Sequence, residues 1–151
     1  MKTTFRAAEA ADADALLSMM RGLCEHDAMT FDEAARRDAL ARLIADESLG
    51  LAHVLESGGE TAGYLVIVFG FSLEFHGRDA FLDELFVKDE FRGRGLGKEA
   101  LGFAETVCRE RGVRALHLEV DRSNTGAQAL YRKSGFKDHD RYLMTRLLEK
   151  Q

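Results

Sequence analysis

The feature that most constrains this 151-residue chain is a short, basic, glycine-rich stretch at residues 92–98. It follows a strand-like apolar run and begins a helix-like one, and it reads Arg92, Gly93, Arg94, Gly95, Leu96, Gly97 and Lys98. Alternating residues without a Cβ let the backbone curl so that successive N–H groups converge, and the following helix adds the positive end of its dipole. With three cations beside it, the stretch is predicted to bind a polyphosphate.

Two familiar phosphate loops do not fit this stretch. A nucleoside-triphosphate loop requires Ser or Thr after Gly-Lys, whereas Glu99 follows Lys98 here, and it requires Gly where this chain has Arg92. The dinucleotide pattern Gly-x-Gly-x-x-Gly also fails, because the third glycine comes one residue early. The pattern that fits is Arg-x-x-Gly-x-Gly.

A second motif lies downstream, after a strand-like run at residues 116–120. Residues 124–136 read Asn-x-x-Ala-x-x-Leu-Tyr-x-x-x-Gly-Phe, which predicts a short helix. Thr125 and Gln128 are spaced as a capping box at its start, and Gly135 suits a left-handed stop at its end.

These two motifs, in this order, resemble the GNAT superfamily of N-acetyltransferases, specifically over about residues 80–137. The resemblance implies an α/β (α+β) fold, with a central mixed, mostly antiparallel twisted sheet of about seven strands, about four flanking helices and a splay between strands 4 and 5. It further implies one domain over residues 1–151, acetyl-CoA as cosubstrate and a homodimer.

The resemblance also implies where the cofactor binds. The pyrophosphate would lie on the glycine-rich turn, and the pantetheine arm would pair with the end of the preceding strand, where an N–H of Phe86 or a neighbour could stabilise the oxyanion. The implied cofactor-binding residues are Leu85, Phe86, Val87, Arg92, Gly93, Arg94, Gly95, Leu96, Gly97, Lys98, Asn124, Ala127, Tyr131 and Lys133. Arg132 is the alternative to Lys133 as a contact for the 3′-phosphate.

The chemistry needs a base and an acid. An alkyl amine attacks a thioester only when neutral, yet with a pKa near 10 roughly one molecule in a few thousand is neutral at pH 7. Asp83 and Glu84 are both candidate bases, and strand alternation predicts that only one of them faces the acceptor. Either could instead be a structural carboxylate. Tyr131 is at the position where the family keeps the acid for the leaving thiolate.

The acidic pair also bears on the acceptor. The stretch from Phe71 to Val87 resembles the diamine (spermidine/spermine) acetyltransferase-like subgroup, which has an acidic pair in this strand, in the order Glu-Asp where this chain has Asp-Glu. The residues expected to bind the acceptor are Glu25, His26, Glu74, His76 and Asp83. No metal site is predicted, because neighbours such as those in residues 24–27 cannot all point at one ion.

Composition narrows the class of protein. A net charge of −5 with 31% charged and 46% hydrophobic residues argues against nucleic acid as a partner. The sequence has no apolar run long enough to span a membrane, which predicts a cytoplasmic protein. Cys24 and Cys108 are 84 positions apart and are expected to be free thiols.

Periodicity predicts the remaining elements. Strands are expected at residues 3–7, 49–55, 61–71, 80–87 and 114–121, with a closing antiparallel pair at 136–138 and 142–148. Helices are expected at 12–24, from Thr30 onward and from the glycine-rich turn to about Arg111. The run at 64–69 is apolar on both faces and therefore predicts a central strand covered on both sides.

The expected function is direct transfer of an acetyl group from acetyl-CoA to a primary amine of a small molecule, diamine-like or amino-acid-like. One alternative is a protein acetyltransferase that modifies an N-terminus or a lysine. Another is a non-catalytic regulatory module that binds acyl-CoA.

Overall fold

The computed structural model describes residues 2–149. The chain divides after Glu119 into two compact units. In the described residues, the first unit contains the sheet and three helices, and the second contains one helix, α4 (Thr125–Lys133). None of the described helices is long and apolar enough to cross a membrane.

The first unit is built on a five-stranded sheet in which the strands follow chain order. The strands are β1 (Thr3–Ala7), β2 (Gly50–Ser57), β3 (Glu60–Ser72), β4 (Gly77–Val87) and β5 (Ala115–His117). Three helices accompany them: α1 (Ala13–His26), α2 (Glu33–Ala45) and α3 (Leu96–Glu110). Neighbouring strands from β1 to β4 are antiparallel and β5 is parallel to β4, so the sheet is mixed and mostly antiparallel, as the sequence predicted.

The central strand β3 is covered on both faces, as its apolar run predicted. Tyr64 and Val66 belong to a core cluster with side chains of α1 and α2, including Leu16 and Leu40. Their neighbours Leu65 and Ile67 are fully buried as well. Because β3 is the middle strand of the sheet and β4 pairs with it, β3 determines the position of β4, which carries predicted site residues.

The glycine pair between β2 and β3 makes a tight hairpin. Gly58 and Gly59 have φ values of 59° and 84°, and Ser57 pairs with Glu60 across the turn. Both turn residues need a left-handed backbone, which residues with a side chain rarely adopt.

The pairing between β4 and β5 is short, which confirms the predicted splay. In the described residues, the ladder joins Asp79 to Ala115, Ala80 to Leu116 and Phe81 to His117, while β4 continues to Val87. Residues 82–87 therefore form an open edge on the side of β4 that faces β5. An open edge presents unpaired N–H and C=O groups to any extended ligand.

Two predicted boundaries need correction. Helix α2 begins at Glu33 and not at Thr30, because the carboxylate of Asp32 accepts a hydrogen bond from the Ala35 amide at 3.1 Å and so caps the helix. The strand predicted over 114–121 is limited to Ala115–His117, since β5 ends where its pairing with β4 ends.

The count of about seven strands also needs correction. The described residues contain five strands, and the predicted closing pair at 136–138 and 142–148 has no strand in the part of the chain that the structure describes. Alternating apolar residues form a strand only where a partner edge pairs with them, and the described part of residues 120–149 contains no strand to act as that partner.

The contact between β3 and β4 predicts a sharp difference between two glycine substitutions. A Cβ on Gly63 would lie 2.0 Å from the carbonyl oxygen of Phe86, a backbone atom that cannot move without breaking the ladder. We expect Gly63→Ala to cost about 1–3 kcal/mol of unfolding free energy, measured by urea denaturation. Gly102→Ala in α3 is the matched control, because a Cβ there meets no described atom within 4 Å, and it should stabilise the chain by roughly 0.5–1 kcal/mol. A Gly63→Ala protein as stable as the parent would contradict the close β3–β4 contact.

Candidate active site

The glycine-rich turn has the geometry of an anion site. Gly93 and Gly95 have φ values of 77° and 80°, and Gly95 is the N-cap of α3 in the left-handed conformation. The first hydrogen bond of the helix runs from the Glu99 amide to the Gly95 carbonyl, at 3.1 Å. The amides of Leu96, Gly97 and Lys98 precede that bond, so they point out of the helix end with no acceptor inside the helix.

The side chains of the turn have different tasks. Arg92 bends back, donating from Nε to the Val87 carbonyl at 3.0 Å and pairing with Asp89 at 3.2 Å, so it ties the turn to the end of β4. Arg94 lies over the Phe91 ring, 5.2 Å from its centroid, and is exposed. The side chain of Leu96 is buried, so this residue can offer a ligand only its backbone.

A pocket of about 530 Å³ lies between α1 and the end of β4. Two of the residues predicted to bind the acceptor, Glu25 and His26 in the last turn of α1, line it together with Phe86 and Lys88. Gly22 allows this closeness, because a Cβ there would approach the Phe86 ring at 3.3 Å. The His26 ring is paired with Asp27 at 2.9 Å.

The strand carrying the acidic pair is irregular at the pair itself. In the described β3–β4 ladder, Val66 is opposite Glu84 and Ile67 is opposite Leu82, so Asp83 is an extra residue with no partner on β3. Such a β-bulge breaks the strict alternation of side chains and re-aims the extra residue. A regular strand would point the two carboxylates to opposite faces of the sheet, and the bulge removes that requirement.

Glu84 is held in a hydrogen-bonded network on the side of the sheet that faces α2. Its carboxylate receives two hydrogen bonds from Nη1 of Arg36, at 2.9 and 3.2 Å, and one from the hydroxyl of Tyr64 at 2.8 Å. Tyr64 is fully buried and the Glu84 side chain is 13% exposed. Burial raises the pKa of the Tyr64 phenol and the Glu84 carboxylate raises it further, so Tyr64 remains a donor.

Asp83 has a different electrostatic environment from Glu84. The residue is exposed at the surface, but desolvation by the protein atoms around its carboxyl raises the pKa of Asp83, and the charges of Glu84 and Glu119 raise it further, while the Arg36 guanidinium opposes them. A carboxylate with a raised pKa and its oxygens outside the Tyr64–Arg36 network is a better proton acceptor than its neighbour.

The residues predicted to bind the acceptor are not brought together in this unit. Glu74 and His76 lie in the turn before β4, and His76 takes a left-handed φ of 67° there. From His76 to Asp83 the strand extends for roughly 20 Å. Glu25 and His26 lie beside Phe86, at the other end of β4. Among the described residues, no three His, Cys, Asp or Glu side chains are grouped to hold a metal ion, and Cys24 and Cys108 are free and buried.

The second unit places the downstream motif on a capped helix. Asn124 is the N-cap of α4, and its side-chain oxygen accepts a hydrogen bond from the Ala127 amide at 3.1 Å. The predicted capping box of Thr125 and Gln128 is therefore wrong. The Gln128 side chain instead donates to two backbone carbonyls before the helix, at 2.7 and 2.9 Å.

The end of α4 agrees with the prediction. Gly135 has a φ of 101°, and the amide of Phe136 donates to the carbonyl of Tyr131 at 3.0 Å, which closes the helix. The ring of Tyr131 packs edge-on against Phe136, with centroids 6.0 Å apart. Arg132 is paired with Asp138 at 2.7 Å, which leaves Lys133 as the more available of the two cations.

Two parts of the site were missed from the sequence. Arg36 and Tyr64 meet Glu84 across separations of 48 and 20 residues, for which no local spacing gives a signal. His117 and Asp79 form a half-buried pair at 3.2 Å where β4 and β5 part, with the ring of Phe81 5.1 Å from that of His117. The strand predicted over residues 80–87 did not include Asp79, so the pattern gave no signal for this pair.

The raised pKa of Asp83 predicts that this carboxyl group destabilises the folded chain at neutral pH. Its pKa is higher in the folded chain than in the unfolded one, so the folded chain binds more protons between those values and stability falls as pH rises through that window. Asp83→Asn should therefore raise the melting temperature at pH 7 and lose this advantage below the unfolded pKa of about 4.

Asp46→Asn provides a control of opposite sign. Hydrogen bonds from the Ser48 hydroxyl and amide, at 2.6 and 3.0 Å, lower the pKa of Asp46, so this variant should lower the melting temperature at pH 7. If Asp83→Asn melts at a lower temperature than the parent protein at pH 7, the raised pKa of Asp83 in the folded chain is contradicted.

Comparisons with known proteins agree with this geometry. A model of the acetyltransferase (GNAT) family matches residues 17–136. The chain is 30% identical over 142 residues to a thialysine N-epsilon-acetyltransferase of Bos taurus, covering 88% of this chain and 83% of that protein. It is 31% identical over 113 residues to a putative [ribosomal protein bS18]-alanine N-acetyltransferase of Bacillus subtilis, covering 75% and 71%.

Solved structures show the same fold. A predicted acetyltransferase from Clostridium acetobutylicum, solved with acetyl-CoA, superimposes with a TM-score of 0.81 over 99% of each chain, at 18% identity. The family match covers most of the chain and includes both the glycine-rich turn and the tyrosine helix. This chain therefore belongs to the GNAT family of acetyltransferases, enzymes that use acetyl-CoA as the acetyl donor.

Proposed function

We propose that the chain transfers an acetyl group directly from acetyl-CoA to the terminal primary amine of a small lysine-like or diamine-like molecule. The observation that carries this proposal is the bulged Asp83 beside the open edge of β4, with its neighbour Glu84 already saturated by hydrogen bonds. The relative that acts on thialysine, whose side chain ends in a primary amine, supports the same acceptor class.

Acetyl-CoA is held by the turn and the open edge in this proposal. The amides at the start of α3 receive the pyrophosphate, and Arg94 and Lys98, both exposed, neutralise it. Arg92 contributes by fixing the turn to β4. The pantetheine arm then runs along residues 82–87 as an added strand. Asn124, whose oxygen caps α4, keeps its amide NH₂ to donate to the arm.

Asp83 is the base in this proposal. A cationic amine is attracted to the carboxylates of Asp83 and Glu119, and Asp83 removes its proton, directly or through a water molecule. Glu84 is less suited to this role, because its oxygens already accept three hydrogen bonds, two of them from a cation.

The remaining steps act on the thioester. The neutral amine attacks the carbonyl carbon, and a backbone N–H near Phe86 stabilises the oxyanion. When the tetrahedral intermediate breaks the carbon–sulfur bond, Tyr131 donates a proton to the leaving thiolate. The position of Tyr131 in the Leu-Tyr-x-x-x-Gly-Phe motif supports this role.

A second candidate function comes from the relative that modifies a ribosomal protein. In that case the acceptor would be a peptide N-terminus, whose amine has a pKa near 8 and needs less help to lose its proton. The pocket between α1 and β4 would then have to admit a peptide backbone.

The test is an acetylation assay with a panel of acceptors, in which release of the coenzyme A thiol is measured. The panel contains thialysine, lysine, diamines, polyamines and alanine-terminated peptides. We expect turnover with the small amines and kcat/KM at least about tenfold lower with every peptide. Turnover confined to peptides would favour the second function, and acetyl-CoA binding without turnover on any acceptor would make the chain a regulatory module.

Three variants serve as controls for the roles within that assay. Asp83→Asn should lower kcat/KM by about 10²–10⁴, the usual contribution of a general base. Tyr131→Phe should lower kcat about tenfold or more with unchanged acetyl-CoA affinity, and Arg94→Ala should weaken acetyl-CoA binding about tenfold by calorimetry. Retention of full activity by Asp83→Asn would contradict its assignment as the base.

A further inference from the structure

A cation on α2 faces the acidic pair of β4, and neither the family motif nor the proposed chemistry uses it. Arg36 is 26% exposed at its side chain and reaches across from α2 to bind both oxygens of Glu84. Its neighbour Arg37 has a different environment, because it pairs with Asp14 and Glu33 near the surface.

We propose that Arg36 is a positioning residue for acetyl transfer: it holds Glu84 away from the acceptor and supplies the positive charge that the acidic cluster of Asp83, Glu84 and Glu119 otherwise lacks. This inference rests on the proposed function, in which Asp83 is the base. It adds a residue from the first half of the chain to a site whose known motifs lie in the second half.

The geometry accounts for the first part of this role. Arg36 donates two hydrogen bonds to Glu84 and the buried hydroxyl of Tyr64 donates a third, so that Oε1 of Glu84 accepts from both residues. Three of the roughly four lone-pair sites of this carboxylate are thereby occupied, which leaves it little capacity for another donor. Glu84 therefore acts as a fixed negative charge next to the bulge, and it does not compete with Asp83 for the acceptor proton.

The surrounding charges account for the second part. Glu84 on the same strand, Glu119 after β5 and Arg36 on α2 are the charged groups that face Asp83, and of these Arg36 is the cation. Tyr64 and Cys24 also face Arg36, and both are buried. Removing Arg36 leaves three carboxylates without a facing cation, and their mutual repulsion disfavours the fully ionised cluster. The cluster must then take up its first proton at a higher pH, which removes the base.

The test compares the pH dependence of kcat/KM for the parent, Arg36→Gln, Arg36→Lys and Arg37→Gln, using acetyl-CoA and the best acceptor of the panel. We expect the acidic limb of Arg36→Gln to move up by about one pH unit. Arg36→Lys should restore most of that shift because the charge is kept, and Arg37→Gln should match the parent. A uniform loss of activity in Arg36→Gln, with an unmoved acidic limb, would overturn the inference.

Glu84→Gln provides a variant with the opposite expected sign, for the case in which Arg36→Gln does not fold. With Glu84 neutral and Arg36 present, the acidic limb should move to lower pH, and a shift to higher pH would overturn the inference. Titration of the Asp83 carboxyl carbon by NMR separates the two proposals. If that carboxyl titrates alike in the parent and Arg36→Gln, Arg36 has no such role. If it shifts while the acidic limb does not, Asp83 is not the base, and the role of Arg36 in turnover is overturned with it.

Discussion

The structure depends on one feature of the sheet: β4 and β5 stop pairing after Phe81 and His117. Up to that point the strands share a parallel ladder, and beyond it β4 continues alone to Val87. A row of backbone groups with no neighbour is normally a liability, which proteins cover or pair. Here only Lys88 and the short helical turn at Asp89–Phe91 separate the open edge from the glycine-rich turn, so a ligand extended along the edge would come near the N-terminal end of α3.

The acidic pair lies at an irregular point of the sheet. The bulge at Asp83 interrupts the β3–β4 ladder, and it places two carboxylates side by side with a third nearby. Without a nearby cation, repulsion between such carboxylates favours protonation of one of them. The buried Tyr64 hydroxyl and the Arg36 guanidinium hold the Glu84 carboxylate in place, whereas the Asp83 carboxylate lies outside that network.

Much of the architecture could be predicted from local patterns. Neighbouring residues are enough to indicate three of its features: the strand β3 covered on both faces, the turn at the glycine pair after β2, and the left-handed backbone of the glycine-rich turn. The structure contains all three. Local patterns failed where two solutions compete. Asp32 caps α2 in place of Thr30, Asn124 caps α4 in place of Thr125, and the alternating tail after Gly135 forms no strand in the described residues. The Arg36–Glu84–Tyr64 network could not be predicted, because it joins residues from three elements through contacts that only the folded sheet creates.

The central claim is that acetyl-CoA binds as an added strand on β4 with its pyrophosphate on the turn. Amide hydrogen exchange of the full chain, with and without acetyl-CoA, tests this most directly, because it reads the backbone groups that the claim names. Exchange should slow at residues 82–87 and 93–98 on binding and stay unchanged in the β2–β3 ladder, which is already paired. If calorimetry shows that acetyl-CoA binds while exchange at both of those segments is unaltered, the cofactor lies elsewhere and the account is contradicted.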